Sequence, residues 1–249
     1  MASEAAIELR GVRRSFGKHE VLKGIDLVVR HGKTRVILGP SGSGKTVIMK
    51  HMIGLLKPDS GEVRVFGQNI VPLKQDALVE MRKSFGMVFQ QAALFDSMSV
   101  FDNVAFPLVE GAQKVSKEDI KRRVEEKLSI LGLGQAMQKF PSELSGGMRK
   151  RVGLARALVT EPKIVLYDEP TTGLDPITTD NVDQMILEAK QKFGVTSVVI
   201  SHDIASALRV ADRVAFLHEG TIVEDTSPAE LRKSQHPFVK KFLSTWFDK

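Results

Sequence analysis

The chain has 249 residues, of which 42% are hydrophobic and 27% charged, and this composition is typical of a globular protein of one or two domains. It contains no cysteine, which excludes disulfide bonds and makes a reducing compartment the simplest expectation. The net charge of +6 would suit nucleic acid or an anionic membrane surface, but the single Trp and single Tyr leave few stacking platforms, so nucleic-acid binding is not expected.

Targeting and membrane-spanning segments are not expected either. The start of the chain lacks the basic and apolar regions of a signal peptide. No uncharged apolar run approaches the roughly 20 residues that a membrane-spanning helix needs. If the protein works at a membrane, other chains are expected to supply the span.

The N-terminal part alternates apolar and polar residues in three short stretches. They lie at Ile7 and Leu9, over 21–29 and over 62–67, and each pattern is typical of a half-buried strand. We therefore expect a small antiparallel sheet beside a buried parallel one. Phe16 lies between the first two strands, where an aromatic ring either stacks on an adenine or covers the sheet edge.

The stretch 39–46 fits the pattern G-x-x-x-x-G-K-[ST] of a phosphate-binding loop. It follows an apolar run, 35–38, that predicts a buried strand, and it precedes a helical stripe expected to end near Lys57. Backbone N–H groups of such a loop turn towards a phosphate, Lys45 reaches the β- and γ-phosphates, and the Thr46 hydroxyl ligates Mg²⁺. The predicted nucleotide-binding residues are Gly39, Pro40, Ser41, Gly42, Ser43, Gly44, Lys45 and Thr46.

The middle of the chain changes from strand to helix. A short strand is expected over 85–89, ending at Gln90, and the region from 96 to about 162 is predicted to be helical. Ser116 and Asp119 have the spacing of a capping box, with an aspartate in place of the usual glutamate or glutamine. The apolar residues on one face of the helix that follows are Ile120, Val124, Leu128 and Leu131. This pattern favours a helical insertion within an α/β domain.

Two later strands end in residues suited to phosphoryl chemistry. The strand over 163–167 runs into Asp168 and Glu169, which places Asp168 near Mg²⁺ and Glu169 near an attacking water. The strand over 196–200 leads to His202, at an end that would face the γ-phosphate. Paired acids also cap helices and a lone histidine is often structural, so these assignments depend on the phosphate-binding loop upstream.

The sequence Leu-Ser-Gly-Gly-Met at 144–148 precedes a helix predicted over 149–158, and P-loop kinases and GTPases have nothing like it. With this motif, the chain resembles the ATP-binding subunit of ABC transporters over nearly its whole length. The residues that match the motifs of that family, in order, are Phe16 for the adenine, 39–46 for the phosphates, Gln90 between the lobes, Ser145, Gly146 and Gly147 of the signature, Asp168 with Glu169, Asp175 of the D-loop, and His202 of the switch.

The resemblance implies an α/β fold, a P-loop NTPase core with a mixed parallel sheet, a small antiparallel β subdomain and an inserted α-helical subdomain. It implies a single domain over 1–249 with three parts. These are a catalytic lobe at about 1–90 and 163–235, a helical subdomain at about 96–162 and a tail at 236–249. ATP and Mg²⁺ are the implied cofactors. The implied roles are catalysis by Lys45, Gln90, Glu169 and His202, metal binding by Thr46, Gln90 and Asp168, and ATP contacts by Asp175 and the signature residues.

One signature and one phosphate-binding loop in a single chain leave half of each ATP site unfilled. The resemblance therefore implies a head-to-tail dimer, in which each ATP lies between the loop of one copy and Ser145, Gly146 and Gly147 of the other. It also implies a transmembrane permease as partner, which would place the chain at the cytoplasmic face of a bacterial inner membrane.

The signature of the family commonly ends in glutamine, whereas this chain has Met148 there. Met148 and the sequences of three segments make the chain similar to the ATPases of MCE-type, Mla-like phospholipid transporters. The segments are 89–95, 100–108 and 173–178. That similarity implies lipid transport between envelope membranes, with a small accessory subunit and a lipid-carrier protein as further partners. The alternatives are an importer or exporter ATPase for another substrate and a soluble ABC-type ATPase acting on ribosomes or DNA.

Two apolar segments predict contact surfaces. The tail at 236–249 carries an apolar helical stripe after a capping box at Ser227 and Glu230, and it either docks on its own domain or reaches another subunit. In the junction at 91–107 we expect about half of the large apolar residues to be buried and the rest to receive a short permease helix. Those residues are Leu94, Phe95, Met98, Val100, Phe101 and Phe106.

Overall fold

The computed structural model describes residues 4–111 and 115–247. Its strands are β1 (Ala5–Phe16), β2 (His19–Arg30), β3 (Thr34–Leu38), β4 (Ser60–Val65), β5 (Gln68–Asn69), β6 (Phe85–Val88), β7 (Ile164–Asp168), β8 (Thr196–Ser201), β9 (Arg213–His218) and β10 (Thr221–Thr226). Its α-helices are α1 (Lys45–Met52), α2 (Gln75–Arg82), α3 (Val100–Val109), α4 (Lys117–Ile130), α5 (Gly146–Leu158), α6 (Pro176–Phe193), α7 (Ile204–Val210), α8 (Pro228–Leu231) and α9 (Pro237–Phe247). Within the described ranges, no helix is both long and apolar enough to cross a membrane.

The strands form two sheets, as predicted. The smaller sheet is antiparallel with the order β2-β1-β4-β5, and the larger has the order β10-β9-β3-β8-β7-β6. In the larger sheet only β10 runs antiparallel to its neighbour among the described strands. The helices α3, α4 and α5 are inserted between β6 and β7. Because the carboxyl ends of parallel strands meet at one edge of the sheet, the residues that follow β3, β6, β7 and β8 lie close together.

The larger sheet separates two apolar cores. Along β3, Val36 faces one core and Ile37 faces the other, as the two-residue period of a strand requires. One core packs the sheet against α1 and the antiparallel sheet, and the other packs it against residues of α3 to α9. With both faces covered, β3 and β8 are buried along their whole length. The strand ends that carry the site are therefore held by packing on both sides.

The helix α1 is shorter than predicted. It ends at Met52 rather than near Lys57. Gly54 takes a left-handed φ of 64°, and its N–H donates to the carbonyl of His51 at 3.0 Å. This turn ends the helix, because a left-handed residue turns the backbone so that N–H groups beyond the helix bond its last carbonyls.

The helix α5 begins earlier than predicted, at Gly146 rather than Arg149. The Ser145 hydroxyl accepts the backbone N–H of Met148 at 3.3 Å, so Ser145 is its N-cap. The signature motif therefore forms the first turn of α5, and its glycines present free backbone N–H groups at the positive end of that helix.

At the start of α4 the predicted capping box is half present. The Ser116 hydroxyl accepts the N–H of Asp119 at 3.1 Å, as expected. The Asp119 carboxylate lies 3.3 Å from that hydroxyl, instead of accepting from the Ser116 backbone. Aspartate is one methylene shorter than glutamate, which explains why the return contact reaches the side chain only.

The junction at 91–107 is more regular and less buried than expected. Its second half belongs to α3, which continues through Pro107. Val100 is buried, Phe95 is 41% exposed, and the other predicted apolar residues are half-buried, so the expectation that half would be buried is wrong. Leu94 and Phe101 pack against the core, and the rings of Phe95 and Phe106 pack on each other with their centroids 4.6 Å apart.

The C-terminal elements dock on the chain itself. Ser227 and Glu230 form the predicted capping box at the start of α8. In α9, Val239 and Leu243 are buried, and the rings of Phe238 and Phe242 contact Phe216 of β9 edge-on. The predicted contributions of Trp246 and Phe247 to the stripe, and of 248–249, lie outside the described side chains.

Candidate functional site

The phosphate-binding loop joins β3 to α1. Gly44 is the N-cap of α1 with a φ of 105°, a conformation open to glycine and strained for other residues. At Gly39 a Cβ atom would lie 2.3 Å from the carbonyl oxygen of Leu217, so only glycine fits against β9. Both glycines are thus required by the backbone path, and that path directs the loop N–H groups and the α1 N-terminus at one point.

A cavity of about 450 Å³ opens over this loop. The residues that line it are Phe16, His19, Val21, Ser41, Gly42, Gly44, Lys45, Thr46, Val47 and Glu169. Phe16 ends β1 rather than lying beyond it, is 46% exposed, and has the Arg14 guanidinium 5.0 Å from its ring centroid. The antiparallel sheet therefore brings an exposed aromatic face to the phosphate-binding loop, which suits a base joined to phosphates.

Lys45 is a buried cation at the centre of the site. Its Nζ donates to the carbonyls of Gly39 and Pro40 at 2.9 and 3.0 Å. It also lies 3.3 Å from a carboxylate oxygen of Glu169, which follows β7, two strands away from β3 in the sheet. A buried ammonium held chiefly by neutral carbonyls retains attraction for an anion of higher charge.

Glu169 is held by three side chains. Besides Lys45, the Thr172 hydroxyl donates to its Oε2 at 3.0 Å, and the Nδ1 atom of His202 lies 2.7 Å from the same oxygen. Its φ of 48° is in the left-handed region, unusual for a residue other than glycine. The sequence predicted that Glu169 and His202 would face one point, and the structure brings them into contact from the ends of β7 and β8.

Asp168 and Thr46 fit a divalent cation. The Asp168 carboxylate lies near the Thr46 hydroxyl, and its Oδ1 is buried and has no hydrogen-bond partner. Burial, and secondarily the charge of Glu169, raises the pKa of Asp168 above its usual range. A bound cation would reverse that effect. No group of three or more acidic or histidine side chains suited to a metal occurs in the described residues, and Mg²⁺ commonly takes one or two carboxylates with substrate phosphates.

The signature residues lie apart from this cavity. Ser145, Gly147 and Met148 line a second cavity of about 260 Å³, together with residues of α5 and α6, and the two cavities share no residue. Ser145 and Gly146 are exposed.

Two further predicted residues also lie outside the first cavity. Asp175 is exposed and caps α6, where its carboxylate accepts the N–H groups of Ile177 and Thr178. Gln90 is exposed just after β6 and lines neither cavity, although its carbonyl accepts a hydrogen bond from Lys150 of α5. The structure thus joins Phe16, the loop and the β7 and β8 ends within one chain.

Several site residues were missed by the sequence reasoning. His19 and Val21 line the cavity opposite the loop, and Thr172 binds Glu169. The position of His19 close to Phe16 in a short hairpin could have indicated its place. For Lys150 the sequence gave no signal, because its partners are distant backbone carbonyls.

The chain is similar to known proteins in sequence and in fold. A family profile described as ABC transporter matches residues 22–172. The probable ribonucleotide transport ATP-binding protein mkl of Mycobacterium leprae is 41% identical over 244 residues, which cover 98% of this chain and 70% of that protein. The intermembrane phospholipid transport system ATP-binding protein MlaF of Escherichia coli K12 is 40% identical over 237 residues, covering 95% and 88%. A dimeric ATP-binding cassette solved in a post-hydrolysis state with ADP and Pi has a TM-score of 0.77 at 32% identity, covering 89% and 98%.

Proposed function

This chain belongs to the ABC transporter family as an ATP-binding ATPase subunit, and from that premise we propose that it drives phospholipid transport between the membranes of a bacterial envelope. The observation that carries the lipid assignment is the 40% identity to MlaF over 95% of this chain and 88% of that protein. The methionine at position 148, in place of the usual glutamine, supports the same group. The proposed location is the cytoplasmic face of the inner membrane, through a permease.

A second candidate substrate is a ribonucleotide, because mkl, named for ribonucleotide transport, is 41% identical over 98% of this chain. To distinguish the two, the chain is purified with its permease, and the bound small molecules are identified by mass spectrometry. Phospholipid in the complex, with ATPase activity raised by phospholipid vesicles, is the expected result. Stimulation by ribonucleotides alone would contradict the lipid proposal.

In the proposed ATP complex, the phosphates lie against the loop N–H groups and the α1 N-terminus, and the adenine stacks on Phe16. Lys45 neutralises the β- and γ-phosphates, since its buried ammonium is otherwise held mainly by carbonyls. Thr46 and Asp168, with Gln90, would hold Mg²⁺, which supplies charge neutralisation at the phosphates.

In the proposed hydrolysis step, the Glu169 carboxylate takes a proton from the attacking water. The contacts with Lys45 and Thr172 orient this carboxylate. His202 contacts the same Oε2 atom as Thr172 does. His202 would also contact the γ-phosphate. Phosphoryl transfer of this kind needs positioning and charge neutralisation more than covalent chemistry.

The proposed working unit is a head-to-tail dimer of this chain on a permease. The separation of the two cavities supports it: Ser145, Gly146 and Gly147 do not line the cavity over the loop of their own chain, so in this proposal another copy supplies them. Closure of the dimer on ATP and opening after hydrolysis is a population shift that can move a permease. An accessory subunit and a lipid-carrier protein complete the proposed complex.

Ser145→Arg is expected to abolish ATP hydrolysis while leaving ATP binding intact. The bulky cation would block the approach of the partner copy at the α5 N-terminus. Steady-state ATPase assays and calorimetry measure the two effects. Ser116→Arg is the matched control, because Ser116 is also an exposed N-cap serine. Its substitution removes the N-cap of α4 and should lower the stability of the protein by a similar amount, about 1 kcal/mol.

Mixing Ser145→Arg chains with Lys45→Ala chains tests the trans arrangement directly. Each mixed dimer would retain one ATP site with an intact loop from one copy and an intact signature from the other. Activity should therefore reappear on mixing. Normal hydrolysis by Ser145→Arg alone would show that the trans arrangement is wrong for this protein.

Phe95→Asp is expected to weaken permease binding and lipid transport while nucleotide affinity survives. Phe95 is more exposed than Phe101, the other junction ring considered for this test, and it lies outside both cavities of the ATP site. Beside the junction, residues of α2, β6, α3, α4 and α5 line a further open cavity of about 540 Å³, which in this proposal would receive the short permease helix.

Co-purification with the permease and lipid transport in vesicles measure this effect. Ile130→Asp is the control, since Ile130 is similarly exposed, at 37%, at the end of α4. Normal assembly and transport by folded Phe95→Asp would place the coupling surface elsewhere.

A further inference from the structure

One face of α5 supports the turn that follows β6. Lys150, Gly153 and Arg156 are spaced three residues apart on this helix and share that face. Lys150 donates from Nζ to the carbonyl of Gln90 at 2.8 Å. Gly153 packs so closely that a Cβ atom there would lie 3.1 Å from the Cβ of Ala92.

This turn has an unfavourable backbone. Ala92 and Ala93 take φ values of 60° and 46°, in the left-handed region that residues with a Cβ seldom adopt. The Arg156 guanidinium donates to both of their carbonyls, at 2.6 and 2.7 Å. Such a conformation persists only where its surroundings hold it, and here α5 provides that support.

Lys150 also reaches the segment that carries Glu169. Its Nζ donates to the carbonyl of Pro170, the residue after Glu169, at 2.5 Å. The Lys150 side chain is buried, and both of its described hydrogen-bond partners are backbone carbonyls rather than carboxylates. Burial lowers the pKa of this ammonium from its usual value.

We propose that Lys150 is a positioning residue for ATP hydrolysis, which ties α5 to Gln90 and to Pro170 and so fixes the Glu169 carboxylate. Ser145 caps the same helix. In this proposal, α5 shifts when its N-terminus contacts the ATP held by the other copy. Lys150 then transmits that shift to Gln90 and, through Pro170, to Glu169. This inference rests on the proposed roles of Gln90 and Glu169.

Lys150→Met tests the proposal, because it keeps an unbranched apolar stem and removes both hydrogen bonds. We expect kcat to fall roughly 10- to 100-fold, the effect of losing one or two hydrogen bonds from a charged donor. The ATP dissociation constant, measured by calorimetry, should change by less than about threefold, since Lys150 acts on the hydrolysis step alone. Lys150→Arg, which can donate to both carbonyls, should regain most of the lost kcat.

Lys127→Met is the control for loss of a buried lysine. Lys127 is also buried, but it lies on α4 and pairs with Glu126 and Glu161. Its variant should lower the melting temperature and leave kcat near normal. An equal fall of kcat in the Lys127 and Lys150 variants would overturn the proposal.

The outcomes separate this inference from the proposed function. Normal kcat in folded Lys150→Met, while Glu169→Gln is inactive, overturns the positioning role alone. Normal kcat in Glu169→Gln overturns the proposed hydrolysis mechanism itself. Equal losses in Lys150→Arg and Lys150→Met, or a weakened ATP affinity that accounts for the loss, would also contradict positioning. If Lys150→Met does not fold, Lys150→Gln, which can donate to one carbonyl, is judged by the same criteria.

Discussion

Glu169→Gln is expected to bind Mg-ATP normally but to hydrolyse it roughly 10²–10⁴-fold more slowly, the usual loss when a general base is removed. The amide keeps the size of the carboxylate, and its one oxygen can accept from either Lys45 or Thr172, which contact different oxygens of Glu169. It cannot take a proton from the attacking water. The variant should therefore accumulate as a closed dimer with ATP trapped between its copies, measurable by size-exclusion chromatography and by the nucleotide that co-elutes.

The matched control is Glu161→Gln. Glu161 also has a left-handed φ, 55°, but it precedes β7 whereas Glu169 follows it, so the two acids lie at opposite ends of one strand. Its substitution should leave turnover unchanged. Near-normal turnover in Glu169→Gln would move the general base to another residue.

Lys45→Ala is expected to lose most of its affinity for ATP. In the proposed ATP complex the Lys45 ammonium faces the phosphates from the loop, and no other lysine or arginine is among the described residues that line the cavity over this loop. Hydrogen bonds to charged groups contribute about 1.5–3 kcal/mol each, so the dissociation constant should rise at least roughly tenfold. Isothermal calorimetry with ATP and with ADP measures the loss, and the γ-phosphate contact predicts a larger effect for ATP.

For this variant Lys127→Ala is the control, because it removes a buried lysine that lies outside the ATP cavity. It should lower stability and leave ATP affinity unchanged. Tight ATP binding by folded Lys45→Ala would show that the loop assignment is wrong.

The residues of the loop and of the strand ends were predictable because their geometry is local. From Gly39 to Thr46 the chain path depends on neighbouring residues: glycine fits where φ is positive or a Cβ would collide, and the helix follows at once. The buried strands were predictable for a similar reason. Largely apolar strands such as β3 and β8 are covered on both faces, and the phosphate-binding loop follows β3 whereas β8 ends in Ser201 and leads to His202.

Element ends and surface exposure were less predictable. The apolar residues after α1 continue the helical pattern, yet the left-handed turn at Gly54 ends the helix and leaves Leu55 exposed to 55%. The sequence also left open which rings of the junction would be exposed, and the structure shows Phe95 41% exposed with its ring packed on Phe106. Hydrophobicity alone does not say which rings of a cluster face solvent, because that depends on the neighbouring helices.

The sequence by itself determined the chemistry: a phosphate-binding loop, two acids after a strand, a histidine after the next, and a signature separate from them. The tertiary structure decided which groups touch. Glu169 meets His202 across 33 residues of chain, and Lys150 meets Pro170 and Gln90 across 20 and 60. Two of these contacts are to backbone carbonyls, which every residue carries, so no side-chain pattern identifies them. Only the packing of α5 against the strand ends selects those carbonyls, and that packing is a property of the whole fold.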